Sequence, residues 1–208
     1  MTEQTRKPDS PPERIVKAAR RLYFAQRVDT VSTDQLAKEA AVSKTTMYKY
    51  FENADAILRA VVEAEAERFE AGIALEADSP AALRAALVEY GTRLLGFLNE
   101  ADVLQFSRLM YEQARSHPDV AKTFYDAAYG RSHAKLAAFI GEGIAAGHVR
   151  SGLTGDELAE MLLGMWEPVR FVRAQLALTD QPYADPAAWS EKCVATLFGE
   201  GTALGEDG

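Results

Sequence analysis

Six side chains able to reach phosphates and base edges stand within seven consecutive positions: Lys44, Thr45, Thr46, Tyr48, Lys49 and Tyr50. Lys44 can donate to guanine O6 or N7, and Thr45 can hydrogen-bond a base or pack its methyl group on thymine. Thr46, Tyr48, Lys49 and Tyr50 have the reach for phosphates, as do Ser32 and Thr33 from the start of the preceding segment. A Lys/Thr face on its own is more often solvated surface. The alternative is nucleic-acid recognition, and the elements that carry these residues decide between the two.

Ser32-Thr33-Asp34-Gln35 forms a capping box that predicts a helix of about two turns ending near Ala40, with Leu36, Ala37 and Ala40 inward. Ala41-Val42-Ser43 makes a tight turn with Val42 as its apolar plug. Ser43 caps a third helix running to about Phe51 and completes the DNA-contacting set. On that helix Met47 and Phe51 point inward with Tyr50 at the boundary, while Lys44, Thr45, Tyr48 and Lys49 fall on the other side. Upstream, Ser10-Pro11-Pro12-Glu13 predicts a capped first helix. Its apolar stripe is Ile15, Ala18, Ala19, Leu22 and Tyr23, opposite Lys17, Arg20 and Arg21. Asn53 caps a fourth, longer helix that carries Ile57, Leu58, Val61, Val62, Ala64 and Phe69. Two short helices joined by a tight turn and flanked by two more are a helix-turn-helix.

Charge is consistent with this once it is divided along the chain. The net charge is −8, yet residues 1–60 hold 11 Lys/Arg against 8 Asp/Glu, whereas residues 61–208 hold 12 against 23. A small basic module is thus joined to an acidic body, and DNA contact is confined to one face of the N-terminal part. The 208 residues, 48% hydrophobic and 26% charged, are ordinary globular composition. The single cysteine, Cys193, excludes an internal disulfide and a thiolate zinc cluster. There is no signal-peptide pattern at the N-terminus, and no apolar run approaches the roughly 18 residues of a membrane span. The expectation is a soluble cytoplasmic protein. His117, His133 and His148 show no metal-ligand spacing, and P-loop, dinucleotide-fold and nucleophile-elbow motifs are missing. Neither a metal, a cofactor nor an enzymatic role is expected.

The pattern I-x-x-A-A-x-x-L-Y at Ile15–Tyr23, followed by S-T-x-x-L-A-x-E-A-A-V-S-x-x-T-M-Y-x-Y-F-x-N-x-D-x-I-L over Ser32–Leu58, resembles the DNA-binding domain of TetR-family transcriptional repressors. Three positions depart from it. Arg27 and Ala41 replace glycines, which the fold should tolerate. Ala54 replaces a lysine that commonly contacts a phosphate, leaving that contact to Lys49 and Lys38. The run Arg108–Pro118 is weakly similar to the AefR-like members of the family. The resemblance implies a pseudo-palindromic DNA operator, a small-molecule effector bound in the body, and a homodimer.

The body reads as helical throughout, with helices at 80–99 and 101–116, one or two between Pro118 and Ala146 closed by Gly147, then 156–178 and 185–198. Candidate pocket residues are Arg93, Phe97, Phe106, Met110, Gln113, Phe124, Tyr125, Tyr129, Trp166 and Arg170, with Glu112, His133 and Glu167 as further polar groups able to orient a ligand. Each aromatic among them, taken singly, is more often core than pocket lining. Pro168 predicts either a kink relieved by Gly164 or the end of one helix and start of another. Leu158, Met161, Leu162, Met165, Trp189, Cys193 and Leu197 follow helical spacing and suit either core or a dimer interface. Cys193 fits buried filler better than a redox switch.

The fold expected is all-α. An N-terminal three-helix helix-turn-helix DNA-binding domain (1–53) precedes a larger helical ligand-binding and dimerisation domain (54–208), with the fourth helix as connector and 199–208 as a frayed tail. The function expected is a ligand-responsive repressor. An activator, a ligand-independent repressor, and a small-molecule-binding helical protein or enzyme with a vestigial DNA module are the alternatives.

Overall fold

A computed structural model describes residues 9–26 and 30–199; Arg27 and the tail beyond residue 199 lie outside them. Among the described residues the fold is helical, without strands. The helix-turn-helix module consists of α1 (Pro11–Ala25), α2 (Thr33–Glu39) and α3 (Lys44–Tyr50). The body follows as α4 (Ala54–Glu70), α5 (Pro80–Leu98), α6 (Ala101–Gln113) and α7 (Pro118–Phe124), then a π-helical turn (Tyr125–Gly130) leading into α8 (Arg131–Ala145). It closes with α9 (Gly155–Trp166), α10 (Val169–Gln175) and α11 (Pro186–Phe198).

Caps set most of the starts. Ser10 with Glu13, Ser32 with Gln35, and Thr154 with Glu157 form reciprocal capping boxes, and Ser43, Asn53, Ser79 and Asp185 each accept a first-turn backbone N–H. Gly147, at φ +76°, ends α8 in the left-handed conformation, and the His148 N–H closes back on the Gly143 carbonyl at 2.8 Å.

Two hydrophobic cores result. In one, Ile15, Ala18 and Tyr23 of α1 meet Leu36, Met47, Leu58 and Val61, and Phe24 lies 4.5 Å from Phe106 of α6, centroid to centroid. The packing therefore runs from the helix-turn-helix module into α4, α6 and α7 with no gap at residue 53. The other joins α5, α8, α9 and α11 around Leu87, Tyr90, Leu136, Leu162, Trp166 and Val194. Gly91 makes this packing possible, because a Cβ there would lie 2.3 Å from Trp166 Cε2 and 2.2 Å from Ser190 Oγ.

The helix expected over 156–178 is divided in two. Pro168 has no N–H to offer the Gly164 carbonyl and disfavours the α conformation at the residue before it. Glu167 adopts φ −108° and ψ 59°, its N–H ends α9 on the Leu163 carbonyl at 2.9 Å, and Pro168 opens α10. Of the two readings of Pro168, termination and restart is the one observed. Downstream, Arg108 Nε donates to the Ala174 carbonyl at 2.8 Å and satisfies the end of α10.

Candidate nucleic-acid interface and internal cavity

The turn between α2 and α3 is held from both sides. Ala41 takes a left-handed conformation at φ +51°, and the Val42 N–H reaches back to the Ala37 carbonyl at 3.0 Å. From α1, Arg14 Nη1 donates to the Ala41 carbonyl at 3.3 Å. Met47 is fully buried and fixes the rotation of α3, so Lys44, Thr45, Tyr48, Lys49 and Tyr50 project outward, Tyr48 with 48% and Tyr50 with 44% of its surface exposed.

Three hydroxyls of the set, those of Ser32, Ser43 and Thr46, are already employed. Ser43 Oγ accepts the Thr46 N–H at 3.0 Å and pairs with Thr46 Oγ1 at 2.8 Å, while Ser32 Oγ accepts the Gln35 N–H at 3.2 Å. An accepting hydroxyl keeps its own proton for donation, so capping and phosphate contact are compatible at Ser32. Thr33 is half-buried at the first turn of α2. Lys44 Nζ pairs with Asp34 Oδ1 at 2.8 Å, and the hydrogen bond to Asp34 raises the lysine's pKa. That contact spans ten residues and depends on the crossing of α2 and α3, so periodicity gave no sign of it. Ala54 opens α4 beside the cap at Asn53, exposed and without a polar group.

Inside the body lies a void of about 80 Å³ between α4, α5, α6, the π turn and the α9–α10 break. Of the pocket candidates, Phe97, Phe106, Phe124 and Tyr129 line it. It also takes in Val62, Glu65 and Phe69 of α4 and Ser107 of α6, which no sequence pattern separated from core, and Glu167. The π turn brings Tyr129 into the wall, where its hydroxyl lies 2.8 Å from that of Tyr111 and burial raises its pKa. A cleft of about 710 Å³ adjoins the void and shares Tyr129 and Glu167 with it.

The remaining six candidates line neither space. Arg93 donates to the Ala71 carbonyl, Met110 and Gln113 are buried in packing, and Tyr125 is exposed and stacked on Tyr129. Trp166 is enclosed in the body core against Tyr90, and Arg170 lies 3.9 Å over the Trp189 ring. Glu112 lines the outer cleft, whereas His133 faces Asp156 and Glu160 at 3.8 and 3.5 Å on the surface. Of the paired-helix candidates, Leu158, Leu162 and Cys193 are buried within the protomer's own core and have no surface to give a partner. Met161 is exposed, and Met165, Trp189 and Leu197 are half-buried. Burial raises the Cys193 thiol's pKa, consistent with packing rather than reactivity.

The void touches the DNA-binding module through Phe106, packed on Phe24 of α1, and through one carboxylate. Glu65 of α4 is buried, yet both its oxygens are engaged: Arg20 Nε of α1 at 2.5 Å and Arg68 Nη2 at 2.9 Å. Arg20 also holds Asp102 of α6 at 2.7 Å, and Arg68 holds Glu100 and lies 4.6 Å over Phe97. A capped helix-turn-helix with an outward basic-aromatic face, joined by an ion cluster to a hollow helical body, defines a DNA-binding transcriptional regulator.

Comparison with known proteins places it more narrowly. The model of bacterial regulatory proteins of the tetR family matches residues 15–61, and that of the AefR-like transcriptional repressor C-terminal domain matches residues 85–189. The chain belongs to the TetR family of transcriptional regulators. Solved structures share the fold. A TetR transcriptional regulator from Agrobacterium tumefaciens superposes with a TM-score of 0.75 at 22% identity, covering 91% of this chain and 93% of its own. The flavonoid-responsive regulator FrrA gives 0.74 at 24% identity over 90% and 94%. The regulator FadR from Bacillus subtilis in complex with stearoyl-CoA gives 0.67 at 20% identity over 89% and 97%. No curated protein matches the sequence at a significant level. No helix among the described residues is long and apolar enough to cross a membrane.

Proposed function

We propose that this TetR-family regulator is a repressor that binds a pseudo-palindromic operator as a homodimer and leaves it when a small molecule occupies the internal void. The observation that carries the reading is Glu65, which lines the void and pairs with Arg20 of the DNA-binding module. Any ligand that moves the wall of α4 moves this pair. The orientation of α3 relative to the body then changes. A two-fold dimer needs its two reading helices about 34–36 Å apart to enter successive major grooves, so a modest rotation suffices for release. The exposed Met161, with the half-buried Met165, Trp189 and Leu197, offers apolar surface for pairing through α9 and α11. A hundredfold loss of operator affinity requires about 2.7 kcal/mol of differential effector binding between the two conformations.

The test is a titration of the protein against its own upstream DNA, with Lys44→Ala and Tyr48→Ala alongside. Both variants should bind at least about tenfold more weakly, with a lower slope of affinity against salt for the lysine variant. Undiminished binding by both removes α3 as the reading helix.

A further inference from the structure

Two acceptors at the neck between the void and the outer cleft have nothing to accept from. Glu167 lines both spaces, yet its carboxylate makes no hydrogen bond or ion pair with any described residue. Gln175 Nε2 donates to Ser107 Oγ at 3.2 Å, which leaves the buried Gln175 Oε1 without a partner on the cleft side. A buried acceptor in that condition, as Gln175 Oε1 is, carries an uncompensated desolvation cost that a donor relieves, and the half-buried Glu167 carboxylate is left unneutralised. Arg108 and Glu112 also line the outer cleft, and the Arg108 guanidinium is taken up by the Ala174 and Thr179 carbonyls and faces Asp180. No Lys, Arg or His lines the void, and its second carboxylate, Glu65, is already neutralised by Arg20 and Arg68. Phe97, Phe106, Phe124 and Tyr129 present rings to the void, surfaces that attract both apolar groups and cations. A carboxylate or phosphate ligand would meet no cation in the void and a carboxylate at its neck.

Resting on the reading of the void as the effector site, we infer that its ligand is a protonated amine borne on a compact apolar or aromatic group, with the ammonium at Glu167 and Gln175 Oε1 and the apolar group in the void. Burial pushes the Glu167 carboxyl up to about 7, so an ammonium beside it also stabilises the ionised form. The ionisable groups nearby are the phenols of Tyr90, Tyr129 and Tyr183, all raised and neutral below pH 8, and, across the cleft, Arg108, Tyr111 and Glu112.

The probes are 1-naphthylmethylamine, 1-naphthylmethanol and 1-naphthoic acid, titrated calorimetrically into the full chain and into Glu167→Gln at pH 8 and pH 6. Each is also added to the protein–operator complex. In the wild type the amine should bind at least about tenfold more tightly than the alcohol, the acid least, with the amine's advantage shrinking at pH 6 as Glu167 takes up a proton. In Glu167→Gln, whose folding is checked by urea unfolding, amine and alcohol should agree within about threefold. An unchanged amine preference in the variant, or an acid that binds tightest, overturns the assignment. Equal binding of all three overturns it while leaving the void as effector site. Failure of all three to bind or to release the operator overturns the assignment and the effector reading together.

Discussion

Replacing Glu167 by glutamine should stabilise the protein at alkaline pH and leave it unchanged in acid. The carboxyl sits at the α9–α10 break with no hydrogen-bond partner, and burial raises its pKa from 4.5 to about 7. Because the folded state binds this proton more tightly than the unfolded chain, the stability the group provides is complete below about pH 4.5. It is lost as pH rises through the folded value near 7. A displacement of roughly 2.5 pH units corresponds to about 3 kcal/mol. Glutamine keeps the shape and carries no charge, so it avoids this loss. The assay is urea unfolding of both proteins at one fixed protein concentration between pH 4.5 and 8.5. Taking the difference between the two proteins cancels every other titration, including the lowered Glu13 and Glu157 carboxyls in their capping boxes. The difference should be near zero at pH 4.5 and reach up to about 3 kcal/mol in favour of glutamine at pH 8. A difference that does not change with pH would show that Glu167 is solvated or paired in the folded protein, and the reasoning would fail.

Other outcomes follow from single contacts. Ala41→Gly relieves a left-handed alanine at φ +51° and should raise stability by up to about 1 kcal/mol in urea unfolding, with operator affinity retained. Asp34→Asn frees Lys44 from its 2.8 Å partner and removes a negative charge from the reading face, so operator affinity should increase by about threefold or more in an anisotropy titration. Gly91→Val drives a side chain into Trp166 and Ser190 and should lower stability by about 1–3 kcal/mol or more.

The N-terminal module was readable because its signals are local. Capping boxes at Ser10–Glu13 and Ser32–Gln35, the Asn53 cap and the inward spacing of Leu36, Ala37, Ala40 and Met47 each span four residues or two turns, and each appears in the fold. The body was readable as helices but not as a site. Val62, Phe69 and Val103 line a void while Met110 and Trp166 fill a core, although all follow the same 3.6-residue periodicity. Which apolar side chain meets a neighbour and which meets a gap depends on how α4, α5 and α6 cross. The same holds for Leu158 and Leu162, whose helical spacing suits a partner chain and a protomer core equally; α8 and α11 already occupy that side. The π turn at Tyr125–Gly130 has no marker in the sequence, yet it sets where Tyr129 points.

The Arg20–Glu65–Arg68 cluster is better understood as a latch than as a source of stability. Its groups are partly shielded from water, and the cost of desolvating two guanidiniums and a carboxylate offsets most of their attraction. Alanine at either Arg20 or Glu65 alone leaves the other's charge with fewer partners, which costs more than removing both. A double-mutant cycle on Arg20→Ala and Glu65→Ala should therefore give a coupling of about 1–3 kcal/mol for folding. For signalling, the relevant number is different. If ligand in the void acts through this pair, the doubly substituted protein should bind operator and effector separately while the tenfold or greater effect of one on the other shrinks to about twofold. Retention of full effector response in the double variant would mean that α4 transmits the signal through its apolar packing against α1, at Ile57, Leu58 and Val61, and that the ion pairs only fix the resting angle.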